Sequence, residues 1–148
     1  GHDVLGFDNF IRPGSETNRA ELKRIGVKLF HGDLRAASDL EALPIDTASL
    51  DAATLVLVLH HVPEPSSALS DAARVLRTGG RLLVADMLPH GRDEYRQQMG
   101  HVWLGFGEDQ IRRLLGAAGF KETRIALLPP DAQSKGPALF VASAIRSE

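Results

Sequence analysis

The chain has 148 residues, a net charge of −2 and no cysteine. That length suits one domain, 1–148, able to bury roughly two thirds of the surface its unfolded chain would expose. The near-neutral charge excludes a strong electrostatic bid for nucleic acid or an anionic membrane, the lack of cysteine excludes disulfides and thiolate chemistry, and no apolar run reaches the ~20 residues of a bilayer span. No secretory signal opens the sequence, and the lack of cysteine fits a cytoplasmic protein.

In chain order, residues 4–7 read as a strand, 15–25 as a helix, 27–30 as a second strand and 37–43 as a short helix. Residues 53–59 are an unbroken apolar and β-branched run, as expected of a parallel strand covered on both faces. Pro63 and Pro65 punctuate the following turn, and Ser66 or Ser67 can cap the next helix. Ala68, Leu69, Ala72, Ala73, Val75 and Leu76 give residues 66–77 an apolar stripe at helical spacing. Gly79-Gly80 is expected to end that helix, since glycine takes the left-handed conformation a C-cap needs. A second buried strand at 81–86 finishes on Asp86, completing a βαβ unit of the usual right-handed kind. Residues 93–105 are expected to be helical, with Tyr95, Met99, Val102 and Trp103 on or near one face. Another helix at 108–118 closes at Gly119, and 122–128 with 139–144 form a terminal strand pair that includes an antiparallel partner.

Four segments carry a resemblance to class I S-adenosylmethionine-dependent methyltransferases. They are DLEALP at 39–44, the strand running into LHHV, ARVLRTGGRLLVADMLP, and EYRQQMGHVWLGFGEDQIRRLLGAAGF at 94–120. The resemblance covers about 39–146 and is closest to the small-molecule branch with the ubiquinone-type enzymes, and to methyltransferase domains fused to ArsR-like regulators. It implies S-adenosylmethionine as cofactor and a small-molecule methyl acceptor.

Residues 1–34 instead resemble NAD-dependent nucleotide-sugar epimerases, through GHDVLGFDNF, the following G-x-x-x-N and LFHGDL. The chain lacks the G-x-G-x-x-G loop and the Y-x-x-x-K pair of that family. The two resemblances meet near 34–44, so the sequence reads as an epimerase-like segment, 1–38, joined to a methyltransferase-like segment, 39–148. The fold expected is an α/β, three-layer Rossmann-like sandwich. Its mostly parallel sheet lacks the usual first strand and ends in a C-terminal strand pair. The strand order is then 2-1-3-4-6-5, with the first strand beside the third or the sheet left open there; an uncovered edge would favour a homodimer.

Candidate site residues follow from the same resemblances. Asp8, followed by Asn9, ends the first strand, where a carboxylate can accept from both ribose hydroxyls; the alternative is an Asx-turn. Asp33-Leu34 resembles the epimerase segment that brackets adenine, and Asp39-Leu40 is the methyltransferase-like pair for the same task; one of the two can hold that place. The loop after Leu59 lines the cofactor in the family, and His60 and His61 are the candidate base or substrate-orienting groups; the competing reading is structural histidines at a strand end. Asp86, Met87 and His90 share that rim. His90 and His101 with Glu94 suggest a metal, but no H-E-x-x-H and no i, i+4 histidine pair exists, so no metal site is expected. Trp103 and Phe106 read as a pocket wall or as core, and Arg112-Arg113 as a solvated helix face.

Two functions remain. One is a methyltransferase-like domain, with turnover in question for want of the glycine-rich loop. The other is a silent chimeric or truncated scaffold without cofactor. A nicotinamide-dependent epimerase comes third.

Overall fold

A computed structural model describes residues 4–8, 15–31, 45–129 and 135–148. The helix expected at 37–43 lies outside them. Strand β1 (Leu5–Asp8) pairs in parallel with β2 (Lys28–His31), in register from Leu5 opposite Lys28 to Asp8 opposite His31. Between them the helix expected at 15–25 divides into a 3-10 turn, Ser15–Asn18, and a short α1, Arg19–Arg24, which has no buried residue.

The second sheet has the order β3-β4-β6-β5. Its strands are β3 (Leu50–Val56), β4 (Leu76–Met87), β5 (Phe120–Leu127) and β6 (Leu139–Arg146). β3 and β4 are parallel, and β6 runs antiparallel to both of its neighbours. The order of these four strands is the one expected. Of the two options for β1, the sheet takes the open one: among the described residues β1 and β3 are not hydrogen-bonded.

Helix α2 (Pro65–Val75) starts with proline at its first turn, where the missing N–H costs nothing, rather than at a serine cap. It buries Ala68, Leu69, Ala72 and Ala73 against the sheet face that carries Leu82, Val84, Phe140 and Ala142. Helix α4 (Glu108–Ala117) adds Ile111 and Leu115 to the same core. The alternation of buried and open positions along β4 and β6 fits a sheet packed on one face. β3 departs from the both-faces expectation. Thr54 is exposed and Val56 is 55% exposed, so the face of β3 that carries them meets solvent.

Two further expectations are corrected. Gly79-Gly80 does not cap α2, which stops at Val75 as Leu76 turns extended with φ −79 and ψ 135. Leu76 already pairs with Leu50, and pairing resumes with Arg81 opposite Ala52, so the glycines lie in a bulge inside β4. Gly79 supplies φ +78 there, and a Cβ on Gly80 would stand 2.8 Å from the Arg77 carbonyl oxygen. Second, the helix expected over 93–105 is only α3 (Glu94–Met99). Gly100 ends it in the left-handed conformation, and Val102 and Trp103 spend their backbone N–H groups on the His60 carbonyl.

Candidate functional site

The chain leaves β3 through a strained turn. Leu57 has φ +55, a region a side chain with a Cβ seldom enters, and its N–H donates to Ala85 on β4 at 2.8 Å. That turn feeds a single 3-10 turn, Leu59–His61, at the carboxyl end of β3. β1 and β4 end on the same kind of edge, at Asp8 and Met87.

His60 is fully buried, as is Asp86 near the end of β4. The His60 Nδ1–H donates to Asp86 Oδ1 at 2.7 Å, and the His60 backbone N–H reaches Oδ2 at 3.3 Å. The Met87 N–H donates to Oδ1 at 2.7 Å, so one buried carboxylate accepts three hydrogen bonds. Asp86 fixes the tautomer of His60, with hydrogen on Nδ1 and the lone pair on Nε2.

The segment after α3 folds back over this pair. The N–H groups of Val102 and Trp103 both donate to the His60 carbonyl, at 2.9 and 3.0 Å. The Phe106 N–H donates to Met87, and Trp103 Nε1–H to the Val62 carbonyl at 3.0 Å. Phe106 is core, with no exposed surface, and Trp103 is half-buried 5.8 Å from it between ring centres. This return brings His101 against His60, ring centres 4.3 Å apart, and His61 lies 4.1 Å from His60. His61 is half-buried and its Nδ1–H donates to the Gly100 carbonyl at 3.1 Å. Tyr95 stands edge-on to His101 at 5.1 Å and to His90 at 5.5 Å.

Of the expected site residues, His60 and His61 therefore stand together at the rim of β3 and β4, with Asp86 and His101. Leu59 stands beside them and is fully buried in the core, with no surface open to a ligand. Asp8 closes β1, and its side chain is not described. Asn9, Asp33, Leu34, Asp39 and Leu40 lie outside the described residues. His101 meets His90, which the sequence set beside it, and also His60 and His61, which it did not. Forty residues separate it from them, and no local spacing signals that contact.

His101 is 4% exposed, and its pKa is lowered to about 4, first by burial and then by the charges that His60, His61 and His90 would carry. His90 is lowered too, by burial first and then by Arg92 and His60. The groups facing the His101 ring are His60, His61, His90, Tyr95 and Asp86. Because the folded pKa lies below the ordinary 6.5, the unfolded chain binds more protons between those values. The stabilisation is complete above about pH 6.5 and is lost as pH falls toward 4, by about 3 kcal/mol at most. Urea melts of chelator-treated protein at pH 7 and 4.5 should show this loss, and His101→Gln should remove most of it.

Residues 14–84 match the family described as the methyltransferase domain. A ubiquinone/menaquinone biosynthesis C-methyltransferase of Rhizobium leguminosarum is 41% identical over 73 residues, covering 49% of this chain and 27% of that protein. The structure of an S-adenosylmethionine-dependent methyltransferase from Mesorhizobium loti superposes with a TM-score of 0.71 at 20% identity, covering 97% of this chain and 80% of that one. The chain has the Rossmann-like fold of S-adenosylmethionine-dependent methyltransferases. A Haemonchus contortus phosphoethanolamine N-methyltransferase, solved with S-adenosylhomocysteine, has the same fold, with a TM-score of 0.75 at 16% identity over 100% of this chain and 44% of that one.

The family match begins at residue 14, inside the epimerase-like segment, so methyltransferase likeness reaches further toward the N-terminus than residue 39. The chain spans about a quarter of the length of that ubiquinone/menaquinone biosynthesis relative. S-adenosylmethionine, the cofactor expected from the sequence, is the cofactor of this methyltransferase class. Two described features bear on such a cofactor: β1 ends at Asp8, and Leu57 takes a strained turn at the carboxyl end of β3. No helix among the described residues is long and apolar enough to cross a membrane.

Proposed function

We propose that this chain is the cofactor- and acceptor-binding part of a methyltransferase that acts on a small molecule. The observation that carries the reading is the turn after β3. Leu57 is held at φ +55 by a hydrogen bond to β4, inside the stretch that matches the methyltransferase family. Backbone strain concentrates where a site needs an unusual chain path. Asp8, with Asn9, receives the ribose hydroxyls, and either Asp33-Leu34 or Asp39-Leu40 brackets adenine. The half-buried turn residues Leu57 and Val58 stand on the cofactor side.

When bound, the cofactor supplies an activated methyl group on a sulfonium, so the protein's part is alignment and exclusion of water. His60 is sealed behind the rim and held by Asp86, which makes it a positioning residue. Of the two expected catalytic histidines, His61 is the one with surface open to an acceptor; Trp103, bonded to Val62, and Tyr95, edge-on to His101, are half-buried aromatics of the same region. Core packing of Phe106 beneath Trp103 holds that wall in place.

Thermal-shift titration with S-adenosylmethionine and S-adenosylhomocysteine tests the reading. A ligand at ~100 times its dissociation constant stabilises the native state by about 2.7 kcal/mol. Both should raise the melting temperature, NAD should not, and Asp8→Ala should weaken the shift at least tenfold in ligand concentration. A cooperative melt that none of the three ligands moves would instead support a cofactor-free scaffold.

A further inference from the structure

From the placement of His60, His61 and His101 we infer a binding site for one divalent transition-metal ion of the zinc class, with Asp86 as the carboxylate that orients its most buried ligand. The inference goes beyond the methyltransferase reading and stands without it. One ring nitrogen from each of the three histidines lies within 4.8 Å of the others. Zinc–nitrogen bonds of about 2.0–2.1 Å in a tetrahedral set place ligand nitrogens about 3.4 Å apart, so side-chain rotation of an ångström or so closes the set.

Three features separate this cluster from histidines that merely pack. His60 Nε2 and His101 Nδ1 are buried polar atoms without a hydrogen-bond partner. An orphaned buried nitrogen costs about 1–3 kcal/mol, and a metal ion satisfies two of them together. The Asp86–His60 contact is the arrangement in which a carboxylate takes one ring N–H and leaves the other nitrogen for a metal. His61 repeats it with a backbone carbonyl, since its Nδ1–H donates to Gly100 and its lone pair falls on Nε2. The depressed pKa of His101 agrees with the geometry, because only a neutral imidazole has a lone pair to give.

Imidazole donors with no thiolate select zinc, cobalt, nickel or copper over magnesium and calcium. Three protein ligands leave a fourth position, and the half-buried His61 puts it on the solvent side of the rim. The ion would tie the turn after β3 to the segment after α3, which already share the hydrogen bonds to the His60 carbonyl.

The test uses the purified full chain, stripped with chelator and titrated with Zn2+ and then Co2+ in the absence of S-adenosylmethionine. One equivalent of Zn2+ should bind and raise the melting temperature, and Co2+ should give the intense visible bands of a four-coordinate site. His61→Ala removes a ligand at the rim with little loss of packing, and should weaken binding at least 100-fold. Asp86→Asn should weaken it 10–100-fold, the usual range for a group behind a metal ligand. Wild-type protein that melts cooperatively and takes up neither metal stoichiometrically overturns the site. So does uptake that is unchanged in both His61→Ala and His101→Ala, which would place the metal on the other histidines, His2, His31 and His90. The cofactor titration is separate, so either result leaves the methyltransferase reading to its own test.

Discussion

Asp86→Ala is expected to lower folding stability by about 3–5 kcal/mol, the cost of removing one partner from a buried, charge-assisted network. Its carboxylate has no exposed surface and accepts from His60 Nδ1, the His60 backbone and the Met87 backbone. Truncation leaves three donors facing a void that water does not readily fill. The damage extends beyond β4, since the His60 carbonyl receives the Val102 and Trp103 N–H groups and so holds down the segment that returns from α3. Asp86→Asn keeps one acceptor oxygen, and its loss should be smaller, about 1–3 kcal/mol. Urea denaturation at pH 7 measures both. A loss under 1 kcal/mol for the alanine variant would show that the pair is replaceable.

The second large effect is Gly105→Ala. Gly105 has φ +88, and a Cβ built there would overlap the Leu88 carbonyl oxygen, with the Leu88 carbonyl carbon at 2.5 Å and the Met87 oxygen at 2.9 Å. These are backbone atoms at the end of β4, so no rotamer change relieves the collision. Left-handed strain and overpacking each cost about 1–3 kcal/mol, giving about 3 kcal/mol or more together. Because Phe106 follows directly and is fully buried, the variant should also loosen the aromatic wall at Trp103. Tryptophan fluorescence should shift to the red before global unfolding. Gly107→Ala is the matched control: nothing lies within 4 Å of a Cβ there and its φ is −76, so it should change stability little.

Much of the fold was legible because it follows from local patterns. The apolar run into LHHV and the stripe on α2 marked the β3–α2–β4 unit, while the order of the four strands came with the resemblance to class I methyltransferases. What escaped was set by contacts distant in sequence. Gly79-Gly80 looked like a helix cap, but pairing of Leu76 with Leu50 recruits the preceding residues into β4 and turns the glycines into a bulge. The run in β3 looked buried on both sides, whereas burial depends on what packs on each face, and the face with Thr54 and Val56 is open. At the site, Asp86 was visible as a strand-end carboxylate and His60 and His61 as a post-strand pair. Their meeting with His101 depends on the stop at Gly100 and the turn at Gly105, which send the chain back across the sheet edge.

The place of β6 in its sheet bears on how the protein is made. The last strand in sequence lies inside the sheet, between β4 and β5, and Arg146 at its end donates to the Ala73 and Gly119 carbonyls at 3.0 Å. A nascent chain that has finished β4 still has one side of that strand unpaired, and β5 reaches the sheet only through β6. Contacts spanning some sixty residues must form late, after the entropy of closing the intervening loop has been met. During synthesis the half-built sheet therefore waits with a long apolar strand uncovered, the state in which chaperone binding and self-association compete with folding.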